Sequence, residues 1–262
     1  MTVLAIVLGL LAAYFFGLFV SYRHRFYVAT ARDQGYAIPT LRLADFHERF
    51  HAGSNGTGLA AAVTFIGGGA SVPAGTTDHE AWVLSVLARD ALTLFEFGTA
   101  TGKTAWLLAC NSPPGARVFT LTLPPGGQKL YRHEKGDGRL ARDVAIEESR
   151  IGDFLYSGTD AEAKITQLYA DSKDFDHRPL RGLCDLVFVD GAHAFSYVMS
   201  DSAKAFEMVS PTGIILWHDY KKRSGVPREV VRALDTIART RPLVRLAGTH
   251  MVAWRNDGAA PA

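Results

Sequence analysis

Two short stretches near the end of the chain hold side chains that proton-transfer or metal chemistry uses. Asp190 and His193 follow the apolar run 186–189, and His218 and Asp219 follow the apolar run 214–217. An apolar run that ends in an acid reads as a buried strand with a polar tip. Open α/β sheets bind ligands beyond the carboxyl ends of their strands. Gly191 permits a sharp turn directly after Asp190. With the two strands as neighbours, Asp190, His193, His218 and Asp219 converge. Two carboxylates and two imidazoles can hold a divalent cation, or they can work as an acid–base pair near neutral pH. The plainer alternative has His218 closing its strand and Asp219 capping the helix that follows.

A second chemical feature lies upstream, at Glu96-Phe97-Gly98-Thr99-Ala100-Thr101-Gly102-Lys103-Thr104. A strand runs into a turn of small residues and then into a helix, 104–109. Gly98 and Gly102 let the backbone approach a ligand closely, and the helix start presents unpaired N–H groups. A phosphate-binding loop needs G-x-x-x-x-G-K-[ST], and this loop is one residue short between its glycines. A dinucleotide site needs G-x-G-x-x-G with an acid closing the second strand, where this chain reads Thr120-Leu121-Thr122-Leu123.

The elements that must position these groups alternate. Thr77 and Glu80 have the spacing of a capping box, and Ala81, Leu84, Leu87 and Ala88 then give the helix an apolar face. Strands are expected at 92–97, 117–123, 164–170, 184–189 and 213–218, and a closing pair at 243–246 and 250–255. The middle runs are nearly continuous apolar stretches, as in a parallel sheet covered on both faces, and the short gap in the last pair suits an antiparallel hairpin. The fold class is therefore α/β: a Rossmann-like doubly wound sheet, mostly parallel, with a C-terminal antiparallel hairpin. This domain is expected over 77–256, with a tail at 257–262. Residues 22–76 read as a connector and cap, with a short helix over 41–50 and loops at the glycines of 53–58 and 67–69.

Residues 3–20 carry no charge and reach about 27 Å as a helix, enough for one hydrocarbon core. Nothing basic precedes the run and no cleavage pattern follows it, so 1–21 is expected to be a retained transmembrane helix rather than a signal peptide. By the positive-inside rule, Arg23, Arg25 and Arg32 are expected to place the body in the cytoplasm. Gly9, Ala13 and Gly17 form a small-residue face that a homodimer can use. Elsewhere the 48% hydrophobic and 21% charged residues describe a globular chain, and a net charge of +2 gives no reason to expect nucleic acid. Cys110 and Cys184 make neither a metal spacing nor a disulfide framework.

The glycine loop also resembles the first motif of the class I S-adenosylmethionine-dependent methyltransferases, acid-x-G-x-G-x-G, with Ala100 for the middle glycine. Together, the V-D-G-x-H of 189–193 and the W-H-D-Y of 217–220 resemble methyltransferase family 24, the bacterial small-molecule O-methyltransferase-like group. The resemblance covers roughly 77–255. It implies S-adenosylmethionine as cofactor, with Glu96, Gly98, Ala100, Gly102, Thr122, Asp171 and Ser172 around it. Thr122 stands where the family usually has a ribose-binding acid. It further implies Asp190, His193, His218 and Asp219 as catalytic groups. In metal-dependent relatives Asp190, His218 and Asp219 are the positions that hold a divalent ion such as magnesium. His193 stands at the position of the base. The expected reaction is methylation of a hydroxyl on a small molecule, glycan or lipid-linked acceptor. A non-catalytic membrane scaffold and a phosphoryl-transfer enzyme are the competing readings. The polar stretch 131–138 and Lys221-Lys222-Arg223 are candidate acceptor contacts.

Overall fold

The computed structural model describes residues 14–18, 36–66, 75–221 and 227–257. The chain divides into two compact units, Met1–Ala37 and Ile38–Ala262. In the first, residues 14–18 are helical and Tyr14, Phe15, Phe16 and Leu18 are exposed. Among the described residues no helix is long and apolar enough to cross a membrane. The expected anchor at 3–20, with Gly9 and Ala13, lies outside the described residues apart from 14–18, as do Arg23, Arg25 and Arg32.

The second unit opens with β1 (Thr40–Leu41), α1 (Leu43–Phe46), a 3-10 turn at Glu48–Phe50, and a small hairpin of β2 (Ala52–Gly53) and β3 (Gly56–Thr57). The helix expected across 41–50 is therefore shorter, and the loop expected at 53–58 is a hairpin. Two local facts explain the helix. Residues 40–41 are drawn into the main sheet, and His47 adopts an extended backbone while its ring accepts the Arg49 N–H. The segment is not peripheral. Phe46, Phe50 and Ala61 are buried in the main core with Val83, Leu84 and Leu87, and Trp82 Nε1 donates to the Ala61 carbonyl. Gly67, Gly68 and Gly69 lie outside the described residues.

Next comes α2 (Asp78–Ala88), whose capping box is formed in both directions between Thr77 and Glu80. The alternating part follows: β4 (Thr93–Phe97), α3 (Lys103–Asn111), β5 (Arg117–Thr122), α4 (Arg139–Glu148), β6 (Ile165–Tyr169) and β7 (Cys184–Val189). It continues with α5 (Phe195–Met208), β8 (Val209–Trp217), α6 (Pro227–Ile237), β9 (Val244–Leu246) and β10 (Val252–Arg255).

The main sheet has the order β1-β9-β10-β8-β7-β4-β5-β6. Strands β6, β5, β4, β7 and β8 are mutually parallel, and β10 runs antiparallel between β8 and β9. The mostly parallel Rossmann-like sheet expected from the sequence is present. The order reverses at β4, whose neighbours are β5 on one side and β7 on the other. That is the switch point where a crevice opens above the strand tips. Every residue of β4 is buried, Glu96 among them, because the sheet is covered on both faces. All five parallel strands point the same way, so Gly98, Thr122, Asp190 and His218 leave them at one edge.

Candidate active site

The turn after β4 is held against the tip of β7. Gly98 has φ +95°, and a Cβ built there would lie 2.2 Å from the Asp190 carbonyl oxygen. Only glycine allows this approach, and it makes the two tips one surface. Ala100 is left-handed at φ 42°. The Gly98 N–H donates to the Leu121 carbonyl and the Gly102 N–H to Thr99, so these amides are not free to ring a phosphate. Gly102 caps α3 in the left-handed region and faces Tyr156, where an added Cβ would lie 2.8 Å from the ring. Its role is packing of the turn.

Two pockets open on either side of this turn. The first is lined by Phe97, Gly98, Ala100, Thr122, Leu123, Tyr131, Glu148, Ser172, Ala192 and Asp201, among others. Thr122 and Ser172 thus reach the groove, as the resemblance implies. Asp171 does not line it. Its Oδ2 accepts from the Arg132 N–H and the Tyr197 hydroxyl and so ties the polar stretch 131–138 to α5, while its Oδ1 accepts from the Lys173 N–H. Asp201, on α5, is the acid that faces the groove instead. It is buried, its Oδ1 has no partner, and burial pushes its carboxyl up to about 7 against the pull of a Ser172 hydrogen bond. The Tyr131 hydroxyl there is also unpartnered.

The second pocket holds the acids and imidazoles. Glu96, Gly98, Ala100, Lys103, Glu148, Asp190, His193, His218 and Asp219 all line it, beside Gly75 and Thr76 of the cap segment. The four tip residues expected to converge therefore do so, but they fall into two pairs. His193 Nε2 and Asp219 Oδ2 are 2.6 Å apart, and the other ring nitrogen, Nδ1, is buried without a partner. Burial works against charge on His193, but the Asp219 hydrogen bond and the nearby carboxylates outweigh it and raise its pKa. Asp219 sits at φ 60°, a conformation rare outside glycine, which aims its side chain back at His193. Lys221 Nζ lies 2.5 Å from the other Asp219 oxygen, while Lys222 and Arg223 lie outside the described residues.

His218 is locked differently. Its Nε2 is 3.3 Å from Glu80 Oε2, and its Nδ1 is 3.3 Å from Asp190 Oδ1 and 3.6 Å from Asp219 Oδ1. Burial opposes its charge, yet Asp190, Glu80 and Asp219 prevail and hold its pKa well above the ordinary value. Its proton is therefore held more tightly than on a free imidazole. Glu80 escaped the sequence reading because its capping-box role hid a second one. Its carboxylate is fully buried, and it also accepts from the His250 N–H at 2.6 Å. The three groups whose ligand atoms lie within 4.8 Å of one another are Asp190, His193 and Asp219. A divalent ion would thus be held by His193 where the sequence suggested His218.

Glu96 accepts from Thr120 Oγ1 at 2.6 Å, and burial pushes its carboxyl up to about 8. A carboxyl whose folded pKa exceeds its unfolded value of 4.5 keeps its proton better when folded, so stability falls as pH rises between those values. Between pH 5 and 8 the ligand-free protein should lose roughly 1 kcal/mol per pH unit from this group. Thermal melts across that range should flatten in Glu96→Gln, and an unchanged slope would contradict the assignment. Lys103, buried at the first turn of α3 and also lining the second pocket, is a further residue missed from sequence.

The methyltransferase domain of family 24 matches residues 95–220. That stretch contains the β4 turn and both tips. The match supports a methyltransferase. It matches none of the curated proteins. Among solved structures it is similar to the O-methyltransferase TomG from Streptomyces achromogenes, involved in tomaymycin synthesis and crystallised with S-adenosylmethionine. The TM-score there is 0.47 at 16% identity, covering 69% of this chain and 81% of that one. The O-methyltransferase from Bacillus cereus, in complex with S-adenosylhomocysteine, gives 0.44 at 14% identity over 70% and 83%. An S-adenosylhomocysteine-bound methyltransferase from Podospora anserina gives 0.45 at 16% identity over 68% and 77%.

Proposed function

We propose that this methyltransferase takes its methyl group from S-adenosylmethionine and places it on a hydroxyl, with His193 as the general base. The observation that carries this reading is the His193–Asp219 pair, with Nδ1 buried, unpartnered and in the same pocket as the Gly98 turn. When bound, S-adenosylmethionine supplies an electrophilic methyl on a positively charged sulfur, and the product S-adenosylhomocysteine keeps that sulfur as an uncharged thioether. The residues present fit such a ligand. Asp201 Oδ1 and the Tyr131 hydroxyl are buried polar atoms without partners in the first groove, suited to the amino and ring nitrogens of adenine. Thr122 at the tip of β5 offers one hydroxyl to the ribose. In the second pocket, Lys103 and the N-terminus of α3 suit a carboxylate, and Glu96 suits an ammonium.

Asp219 accepts a hydrogen bond from the Nε2–H of His193, which leaves Nδ1 as the proton acceptor. Nδ1 would receive the hydroxyl proton of the acceptor when the methyl group is transferred from sulfur to oxygen. His218, held cationic by Glu80 and Asp190, supplies fixed positive charge beside the developing alkoxide. The three-residue set Asp190, His193 and Asp219 supports a second reading, in which a divalent cation held there polarises the acceptor oxygen.

Calorimetry separates the classes. S-adenosylhomocysteine should bind the purified protein, and ATP with magnesium should not. Binding of ATP alone would overturn the reading in favour of phosphoryl transfer. Incubation of cell extract with labelled donor, with and without chelator, then gives the product mass and the metal requirement. A bound cofactor with no labelled product would favour the non-catalytic scaffold. The screen should include glycan and lipid-linked hydroxyls, because the uncharged run at 3–20 suits an acceptor delivered at a membrane.

A further inference from the structure

Gly98, Ala100 and Glu148 line both pockets, so they mark the place where the two meet. Gly98 and Ala100 bring backbone and a methyl group to that junction. Glu148, from the last turn of α4, brings a carboxyl. This carboxyl makes no hydrogen bond or ion pair with any described residue. The charged groups facing it are His193, Asp190 and Asp219. The charge of His193 is already answered by Asp219 at 2.6 Å, so the local field at the junction is negative. Partial burial and the two carboxylates keep Glu148 up at about 7, and a positive ligand would relieve that cost. A half-buried acid with no hydrogen-bond or ion-pair partner among the described residues, set between two grooves, is placed for a cation that the protein itself does not supply.

We infer that Glu148 is the counter-charge to the cationic sulfur of the methyl donor, and that it makes the site prefer S-adenosylmethionine over S-adenosylhomocysteine. The inference rests on the donor proposed above. Its physical basis is that substrate and product differ at this point by one full charge and one methyl group. Opposite charges a few ångströms apart in a partly desolvated site attract strongly, and a neutral thioether gains nothing from the same carboxylate. The adenosine and amino-acid parts are common to both molecules, so contacts elsewhere cannot discriminate between them. An attraction that ends when the methyl group leaves also weakens retention of the product relative to the substrate.

The test is calorimetric titration of the full chain and of Glu148→Gln with each molecule, in chelator so that no metal ion takes the place of the sulfur. Glutamine keeps the shape and removes the charge. S-adenosylmethionine should bind the variant about tenfold more weakly than the wild type, and S-adenosylhomocysteine within about twofold. The unchanged second titration also reports that the variant is folded at the site. Equal weakening of both, or of neither, would overturn the assignment while leaving the donor reading intact. A wild-type protein that binds neither molecule would remove the donor reading and this one together.

Discussion

His193→Ala should lower kcat by about three orders of magnitude and leave the affinity for S-adenosylhomocysteine within about threefold. The ring is the only described group in the second pocket with both a buried free nitrogen and an orienting carboxylate. His218 faces carboxylates on both nitrogens, which raise its pKa. Losing the base costs rate, because the acceptor proton then leaves to water in a site that is largely closed. It does not cost donor binding, because the proposed donor contacts, Thr122, Tyr131 and Asp201 in the first groove and Glu96 and Lys103 in the second pocket, do not include His193. Asp219→Asn should be nearly as damaging. An asparagine can turn its N–H toward Nε2, which moves the ring proton to Nδ1 and occupies the atom that must be free. Single-turnover rates with labelled donor check both. Wild-type turnover in either variant would remove the dyad from the mechanism. Activity abolished by chelator and restored by metal would shift the role of the same residues to metal ligands.

Gly98→Ala is expected to destabilise the domain by about 3 kcal/mol or more and to abolish binding of S-adenosylhomocysteine. The added methyl has nowhere to go. It would lie 2.2 Å from the Asp190 carbonyl oxygen and 2.7 Å from the Gly191 Cα, both backbone atoms of the adjacent strand tip. The φ of +95° is also unfavourable for alanine. Relief requires moving the β4 turn away from the β7 tip, which opens the junction that both pockets share. For a domain of this size the melting temperature should fall by roughly 6–12 °C. Gly102→Ala should cost less, because its nearest atoms at 2.8–3.0 Å belong to the side chains of Tyr156 and Phe154, which can shift. Thermal melts and calorimetry on the two variants decide the point. A Gly98→Ala protein that melts and binds like wild type would mean that the turn is looser than described.

Much of the scaffold was legible because its signals are local. The buried strands announce themselves as apolar runs, and the five parallel ones fall within one or a few residues of their expected positions. The start of α2 was readable from Thr77 and Glu80 alone, since a capping box closes within one turn. The convergence of Asp190, His193, His218 and Asp219 was legible for a related reason. In a parallel sheet every strand ends on the same edge, so polar residues that follow apolar runs must meet there once the strands are neighbours. Short elements were not legible. The two residues of β1 have no periodicity to read, and they become a strand only because β9 offers an open edge.

What the chain by itself determined was the kind of sheet, the edge at which chemistry occurs and the residue types gathered there. Tertiary structure decided which of those residues pair. Glu80 meets His218 across 138 positions of sequence, and that contact gives His218 a carboxylate on each side while His193 keeps one buried nitrogen without a partner. Asp171 was withdrawn from the groove by Arg132 and Tyr197, and Asp201 and Glu148 entered it from helices that carry no motif. The reason is physical. Backbone periodicity and capping act over a few residues, whereas burial, ion pairing and the resulting pKa shifts depend on distances in space, which are fixed only when remote elements pack together.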